Sequence, residues 1–334
     1  MTDWGPIFIG GLDSSGKTLL RLMLSSHPNI SMSRRTYMWT RFYNRYGDLS
    51  QPQNFERCFE AMLNQKPVQI LRPDSQRIRR EFWEGEPTYP NLFAIFHRHF
   101  AERMGKPRWG DQLGFIERYA DPIFEAHPNA RMIHMVRDPR DRYDLSLIPA
   151  RRKRGRAGWN TARWLDSIQL AKNNQKRYPD RYMIVHYESL ITNRQETLMK
   201  ICAFIGEEFM PGMLTMRNAI RFGDDEPGIV EGYSRVPVAI PDKFRGPLPA
   251  KREVAFTQMY ARHAMLSLGY PLEPVRLSLR DWLMFLVVDW PANLAGVIAW
   301  RTTEGKQPAN AIPASNGNQP GKLPVTRYSG QARD

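Results

Sequence analysis

The stretch Pro6-Ile7-Phe8-Ile9-Gly10-Gly11-Leu12-Asp13-Ser14-Ser15-Gly16-Lys17-Thr18 decides the fold. Its first part is a short β-branched and aromatic run that ends at paired glycines, the pattern of a buried strand. From Gly11 to Thr18 it matches G-x-x-x-x-G-K-[ST] in full. Thr18 then opens an apolar helical pattern through Leu19, Leu20, Leu22, Met23 and Leu24. A strand, this loop and a helix, in that order, are the context of a phosphate-binding loop. Glycines let the backbone wrap close to an anion, and successive N–H groups and the helix N-terminus point at its oxygens. Gly11, Ser14, Ser15, Gly16, Lys17 and Thr18 are therefore candidate anion-binding residues, with Lys17 adding a positive charge.

Working outward, Pro28 and the residue before it stop the first helix. Ile30-Ser31-Met32 reads as a second short strand. Residues 33–105 are less regular and rich in aromatics, with helices near 54–65 and 91–104. They read as an insertion or cap beside the sheet. Arg131–Val136 and Tyr182–His186 are further strands, and helices fall near 116–127, 159–177, 194–205 and 249–268. Strands alternating with helices predict an α/β fold, a three-layer parallel sheet flanked by helices, through about residue 275. His134, inside a strand, reads as a core histidine.

Trp282 to Trp300 is the most apolar segment, but it contains Asp289, Pro291 and Asn293. A charge beside a proline is costly at the centre of a bilayer. Residues 276–300 are expected to form a C-terminal apolar helix docked on the body. A peripheral membrane contact through 282–300, flanked by Arg280 and Arg301, is the second reading, and a span the third. Residues 301–334 hold four prolines and four glycines and read as a disordered tail.

The chain has 334 residues, 42% hydrophobic and 25% charged, which excludes a fibrous or wholly disordered protein. Lys plus Arg is 48 against 34 Asp plus Glu, a net charge of +14 that favours anionic partners. The run Arg151-Arg152-Lys153-Arg154-Gly155-Arg156 lacks interleaved aromatics and comes with no RNA-binding module, so nucleic acid is not the expected partner. Two cysteines, Cys58 and Cys202, make no disulfide framework. The N-terminus lacks a signal-peptide pattern. The expected location is cytoplasmic, with membrane association through 282–300 as an option.

The phosphate loop alone also fits a Mg-ATP-dependent kinase, which needs a metal-binding carboxylate at the end of another strand. Asp138 and Glu188 stand near such ends, but neither directly follows four apolar residues. Arg137-Asp138-Pro139-Arg140-Asp141-Arg142 instead follows the strand 131–136. An arginine there, opening a helix, is placed for a second phosphate.

Taken together, the two motifs resemble the sulfotransferases that use 3′-phosphoadenosine 5′-phosphosulfate (PAPS). The loop and helix from Pro6 to Ile30 resemble the family's 5′-phosphosulfate loop. Pro128 to Asp141 resembles its 3′-phosphate strand and helix. Arg181 to Leu190 resembles its V-x-Y-E-D-L strand, and Cys202-Ala203-Phe204-Ile205-Gly206 and Leu268-Gly269-Tyr270 resemble later landmarks. The resemblance implies a P-loop-like fold and transfer of a sulfuryl group from PAPS to a hydroxyl or amine of a glycan, lipid or small-molecule acceptor, without metal. By similarity, Ser14 to Thr18 would hold the 5′-phosphosulfate, Arg137 and Ser146 the 3′-phosphate, and Lys243 and Arg245 a late basic loop over the donor.

The sequence also departs from the family. The loop's positive charge stands at Lys17, three residues beyond its usual place. Leu145 occupies the usual serine position, with Ser146 one later. No carboxylate lies in Ser33-Arg34-Arg35-Thr36, where related enzymes carry a glutamate, and the W-G-D-K segment reads Trp109-Gly110-Asp111-Gln112. Sulfuryl transfer needs a base for the acceptor and positive charge on the bridging oxygen. Lys17 supplies the charge; Asp111 and then Asp13 are the candidate bases. The remaining alternative is a catalytically silent nucleotide- or membrane-binding homologue.

Overall fold

In a computed structural model, residues 5–141, 154–222, 227–230 and 251–303 are described. The central sheet comprises β1 (Ile7–Gly10), β2 (Ile30–Arg34), β3 (Arg108–Gln112), β4 (Arg131–Val136) and β5 (Tyr182–His186). Their order is β2-β3-β1-β4-β5, and every neighbouring pair is parallel. Strands of such a sheet are covered on both faces, which is why β1 and β4 read as continuous apolar runs.

β3 has no such run, and the sequence pattern gives no strand there. Its residues are Arg108, Trp109, Gly110, Asp111 and Gln112, all buried. Burial is tolerated where polar groups find partners. Arg108 donates to the carbonyls of Gly5 and Ile205, both at 2.7 Å, and pairs with Glu207 at 3.1 Å. A Cβ on Gly110 would lie 2.4 Å from both the Ile7 carbonyl oxygen and Met32 Sδ, so the sheet closes over a glycine.

The principal helices are α1 (Lys17–Ser25), α2 (Tyr89–Arg103), α3 (Arg156–Arg177), α4 (Lys251–Tyr260) and α5 (Leu279–Thr303). Side chains alternate across a strand. Ile7 and Ile9 pack with Leu20, Met23 and Leu24 of α1 and with Leu198 and Ile201 on one face. Phe8 joins Phe93 and Phe96 of α2 and Phe55, Phe59 and Phe82 on the other. The segment 33–105, read as an insertion or cap, is thus the helical layer on that second face. Trp39, Phe42 and Phe82 are core residues there.

The helix expected over 249–268 is two helices, α4 and Arg262–Ser267, the second ending at Gly269 with φ of +78°. The expected C-terminal apolar helix is α5, which carries one π-helical turn at Phe285–Asp289. It docks on α3 with backbones in contact: a Cβ on Gly296 would come 2.1 Å from the Gly155 carbonyl oxygen. Cys58 and Cys202 are buried and unpaired. Ser146, Lys243, Arg245 and the tail beyond Thr303 lie outside the described residues.

Candidate active site

The phosphate loop leaves the C-terminal end of β1 at Gly11, φ +105°, and enters α1 at Gly16, φ +91°. Both are left-handed, where glycine alone is unstrained. Space forbids a side chain as well: a Cβ on Gly11 would sit 2.2 Å from the Met135 carbonyl oxygen, and one on Gly16 2.3 Å from Tyr187 Cδ2. Ser14 adopts φ +64°, a strained conformation of the kind that clusters at functional turns. No side chain caps α1, so its first turn presents N–H groups at the loop.

The loop's side chains divide their work. Ser15 is buried and donates to the Leu12 carbonyl at 2.7 Å, so its hydroxyl shapes the loop. Thr18 is exposed. Lys17 is only 4% exposed and its ammonium donates to the Gly11 carbonyl. It lies against the turn after β3: a Cβ on Gly114 would be 3.5 Å from Lys17 Nζ and 3.9 Å from Asp13 Oδ1. Lys17, Asp13 and this turn therefore meet at the mouth of the loop.

Arg137 joins the second motif to the first. Its Nη1 donates to the Ser14 carbonyl at 3.2 Å, and its guanidinium lies 4.2 Å over the Tyr187 ring. The Arg137 carbonyl accepts from Trp164 Nε1 at 3.0 Å. Asp141 sits 3.4 Å from Nε and Nη2 of the same arginine. Burial, with Asp138 and Glu188 nearby, pushes the Asp141 carboxyl up to about 7, against the pull of Arg137.

Asp138 and Arg140 of this motif hold each other, with contacts as short as 2.6 Å. The Asp138 N–H donates to Glu188 at 2.9 Å, and Tyr270 donates to the other Glu188 oxygen at 3.0 Å. Three stretches far apart in sequence, 137–141, 181–190 and 268–270, thus close into one hydrogen-bonded network beside the loop. Asp138 and Glu188, the two carboxylates nearest a Mg²⁺ position in sequence, both take part in it.

The two candidate bases differ sharply. Asp111 is 1% exposed, and its two oxygens accept from Ser33 and Thr36 hydroxyls, each at 2.7 Å. His97 Nε2 stands 3.1 Å from the Ser33 hydroxyl, and burial holds the His97 imidazole below its usual range. Asp13, in contrast, has a half-exposed side chain, 3.7 Å from Arg163. Sequence patterns missed Glu117. It is 1% exposed, 3.4 Å from the Gly11 N–H, and accepts from Ser167 at 2.8 Å. Ser167 contacts His134, which also meets the Tyr182 hydroxyl at 3.0 Å, so His134 is a core histidine. No spacing marks Glu117; only the fold brings it beneath the loop.

A cleft of about 260 Å³, lined by Pro6, Arg98, Trp109 and His127 among others, opens at the opposite, N-terminal ends of the strands. None of the loop residues lines it.

The sequence profile of the Sulfotransferase family matches residues 6–211, more than half of the chain. The protein-tyrosine sulfotransferase of Drosophila melanogaster is 25% identical over 209 residues, which are 60% of this chain and 37% of that protein. The chain thus spans well under half of that relative's length. The solved sulfotransferase domain from the curacin biosynthetic pathway shares the fold, with a TM-score of 0.50 and 20% identity over 80% of this chain and 99% of that one. The phosphate loop and the Arg137 segment both fall inside the matched region, and the chain belongs to the Sulfotransferase family.

Proposed function

We propose that the protein transfers a sulfuryl group from PAPS to an acceptor hydroxyl or amine. The observation that carries this reading is the contact between Arg137 and Ser14, which sets two basic sites side by side. One is the loop 11–18 and the uncapped start of α1, for the phosphosulfate; the other is the Arg137 guanidinium, for the 3′-phosphate. When bound, PAPS supplies an activated sulfuryl group on a phosphate leaving group. The loop N–H groups and Lys17 would hold its anionic oxygens, and Lys17 would bear the charge that develops on departure. Asp13, half-exposed at the loop mouth beside Lys17, is better placed than the buried Asp111 to meet an acceptor and take its proton. The name of the Drosophila relative supports a hydroxyl acceptor.

Arg137→Ala tests the donor site. It should weaken binding of PAP, the desulfonated product, by roughly 1.5–3 kcal/mol as a charge-assisted contact is lost. Unchanged affinity in the folded variant removes the 3′-phosphate assignment.

Asp141 gives the site a pH dependence. Its carboxyl, pushed up to about 7, is neutral at the acid side of that value and anionic at the alkaline side. The anionic form competes with the 3′-phosphate for Arg137. PAP affinity is therefore expected to fall as pH rises from 6.5 to 8, by roughly threefold to tenfold. Asp141→Asn should flatten the profile. A flat profile in the unmutated protein contradicts this account.

A further inference from the structure

Helix α5 has two unlike faces. Phe285, Asn293, Val297 and Trp300 are buried against α3 and α4. Asn293 Oδ1 accepts from the Gly158 N–H at 3.0 Å, and Trp300 donates to Asp166. On the opposite side, at helical spacing, Leu279, Leu283, Leu286, Val287 and Ile298 are 79%, 58%, 54%, 70% and 61% exposed. From Leu279 to Ile298 this apolar stripe runs about 28 Å at 1.5 Å per residue. Contiguous exposed apolar surface of this kind marks an interaction site.

Charge selects the occupant. Arg276 and Arg280 stand exposed at one end of the stripe and Arg301 at the other. The whole chain carries +14. We propose that this stripe docks the protein on an anionic lipid surface, with α5 lying in the plane of the interface. The leucines and valine enter the acyl boundary, and the arginines meet acidic headgroups. A second copy of the chain would bring like charges together on the same face. A span is opposed by the ion pairs of Arg252 with Asp281 at 2.7 Å and Asp289 at 2.6 Å. Spanning would carry these charges into hydrocarbon and strip the buried face from α3. The length and composition of α5 would otherwise suffice to cross a membrane.

The docked helix also reaches the site. Trp300 stacks on Phe115, the Arg163 guanidinium lies 5.4 Å from both rings, and Arg163 pairs with Asp13 of the phosphate loop.

The test is co-sedimentation of the full chain with vesicles of phosphatidylcholine alone and of phosphatidylcholine mixed with phosphatidylserine. The protein should bind the mixed vesicles roughly a hundredfold more tightly, about fivefold for each of the three arginines, and added salt should weaken that binding. The double variant Leu283→Glu/Val287→Glu should lose sedimentation while keeping its circular-dichroism spectrum and its PAP affinity. Arg280→Ala and Arg301→Ala should each weaken binding about fivefold. Protein that stays in the supernatant with both vesicles overturns the proposal. So does a dimer in vesicle-free ultracentrifugation that the double variant dissociates. Membrane-bound protein that resists alkaline carbonate extraction would reveal a span and overturn it too. PAP affinity is read separately, so failure of the lipid proposal and failure of the donor reading are distinct results.

Discussion

Lys17→Ala is expected to lower turnover of PAPS with any accepted substrate by about two to three orders of magnitude, the usual effect of removing one preorganised charge from a developing anion. Position explains the size of the effect. Lys17 opens α1, is almost wholly buried, and lies along the inner edge of the loop at the Gly11 carbonyl. Its charge is thus held where the helix N-terminus also points, so on the proposed reading little reorganisation would be needed as the leaving phosphate gains charge. Ground-state binding should change less than turnover, because the backbone N–H groups and Arg137 remain. The check is kcat and the donor KM in the folded variant. A drop of less than about fivefold in kcat would show that the cation is not at the reacting bond.

Asp13→Asn is expected to reduce turnover by about two to four orders of magnitude, as loss of a general base does. Asparagine keeps the size of the side chain, and Asp13 is half-exposed, so stability should barely move. Asp111→Asn should behave differently. Its amide nitrogen would face a hydroxyl that now donates to a carboxylate oxygen, either Ser33 or Thr36. The cost is stability, roughly 1–3 kcal/mol for a buried group left without its partner. Turnover in the protein that remains folded should stay within about tenfold. Thermal melts and kcat of both variants separate the two. If Asp111→Asn abolishes turnover in the folded protein and Asp13→Asn does not, the roles are reversed.

The phosphate loop was legible in sequence because its determinants are consecutive: glycine at two left-handed positions, a lysine, and a strand and helix on either side. The strands β1, β4 and β5 were legible for the same local reason. β3 was not, because hydrophobic patterning cannot find a strand whose burial depends on Arg108 reaching Gly5, Ile205 and Glu207. Glu117 escaped for a similar reason, since its partners Gly11 and Ser167 lie 106 and 50 residues away. The aromatics of 33–105 illustrate a different ambiguity. Richness in Trp, Tyr and Phe fits a binding surface and a core equally, and only the packing puts Trp39 and Phe82 in the core while leaving Trp83 exposed. Glu188 and Tyr270 were visible as separate landmarks. Their meeting at Asp138 is a property of the fold, and it explains why acidic residues near strand ends here brace the arginine segment.

On the proposed reading the loop and Arg137 together bind an adenosine 3′,5′-bisphosphate. The most direct measurement is calorimetric titration of the purified chain with PAP in the absence of divalent metal, followed by ATP with Mg²⁺. Tight PAP binding without metal and feeble binding of ATP are expected. Tight, Mg²⁺-dependent ATP binding with no response to PAP would contradict that reading.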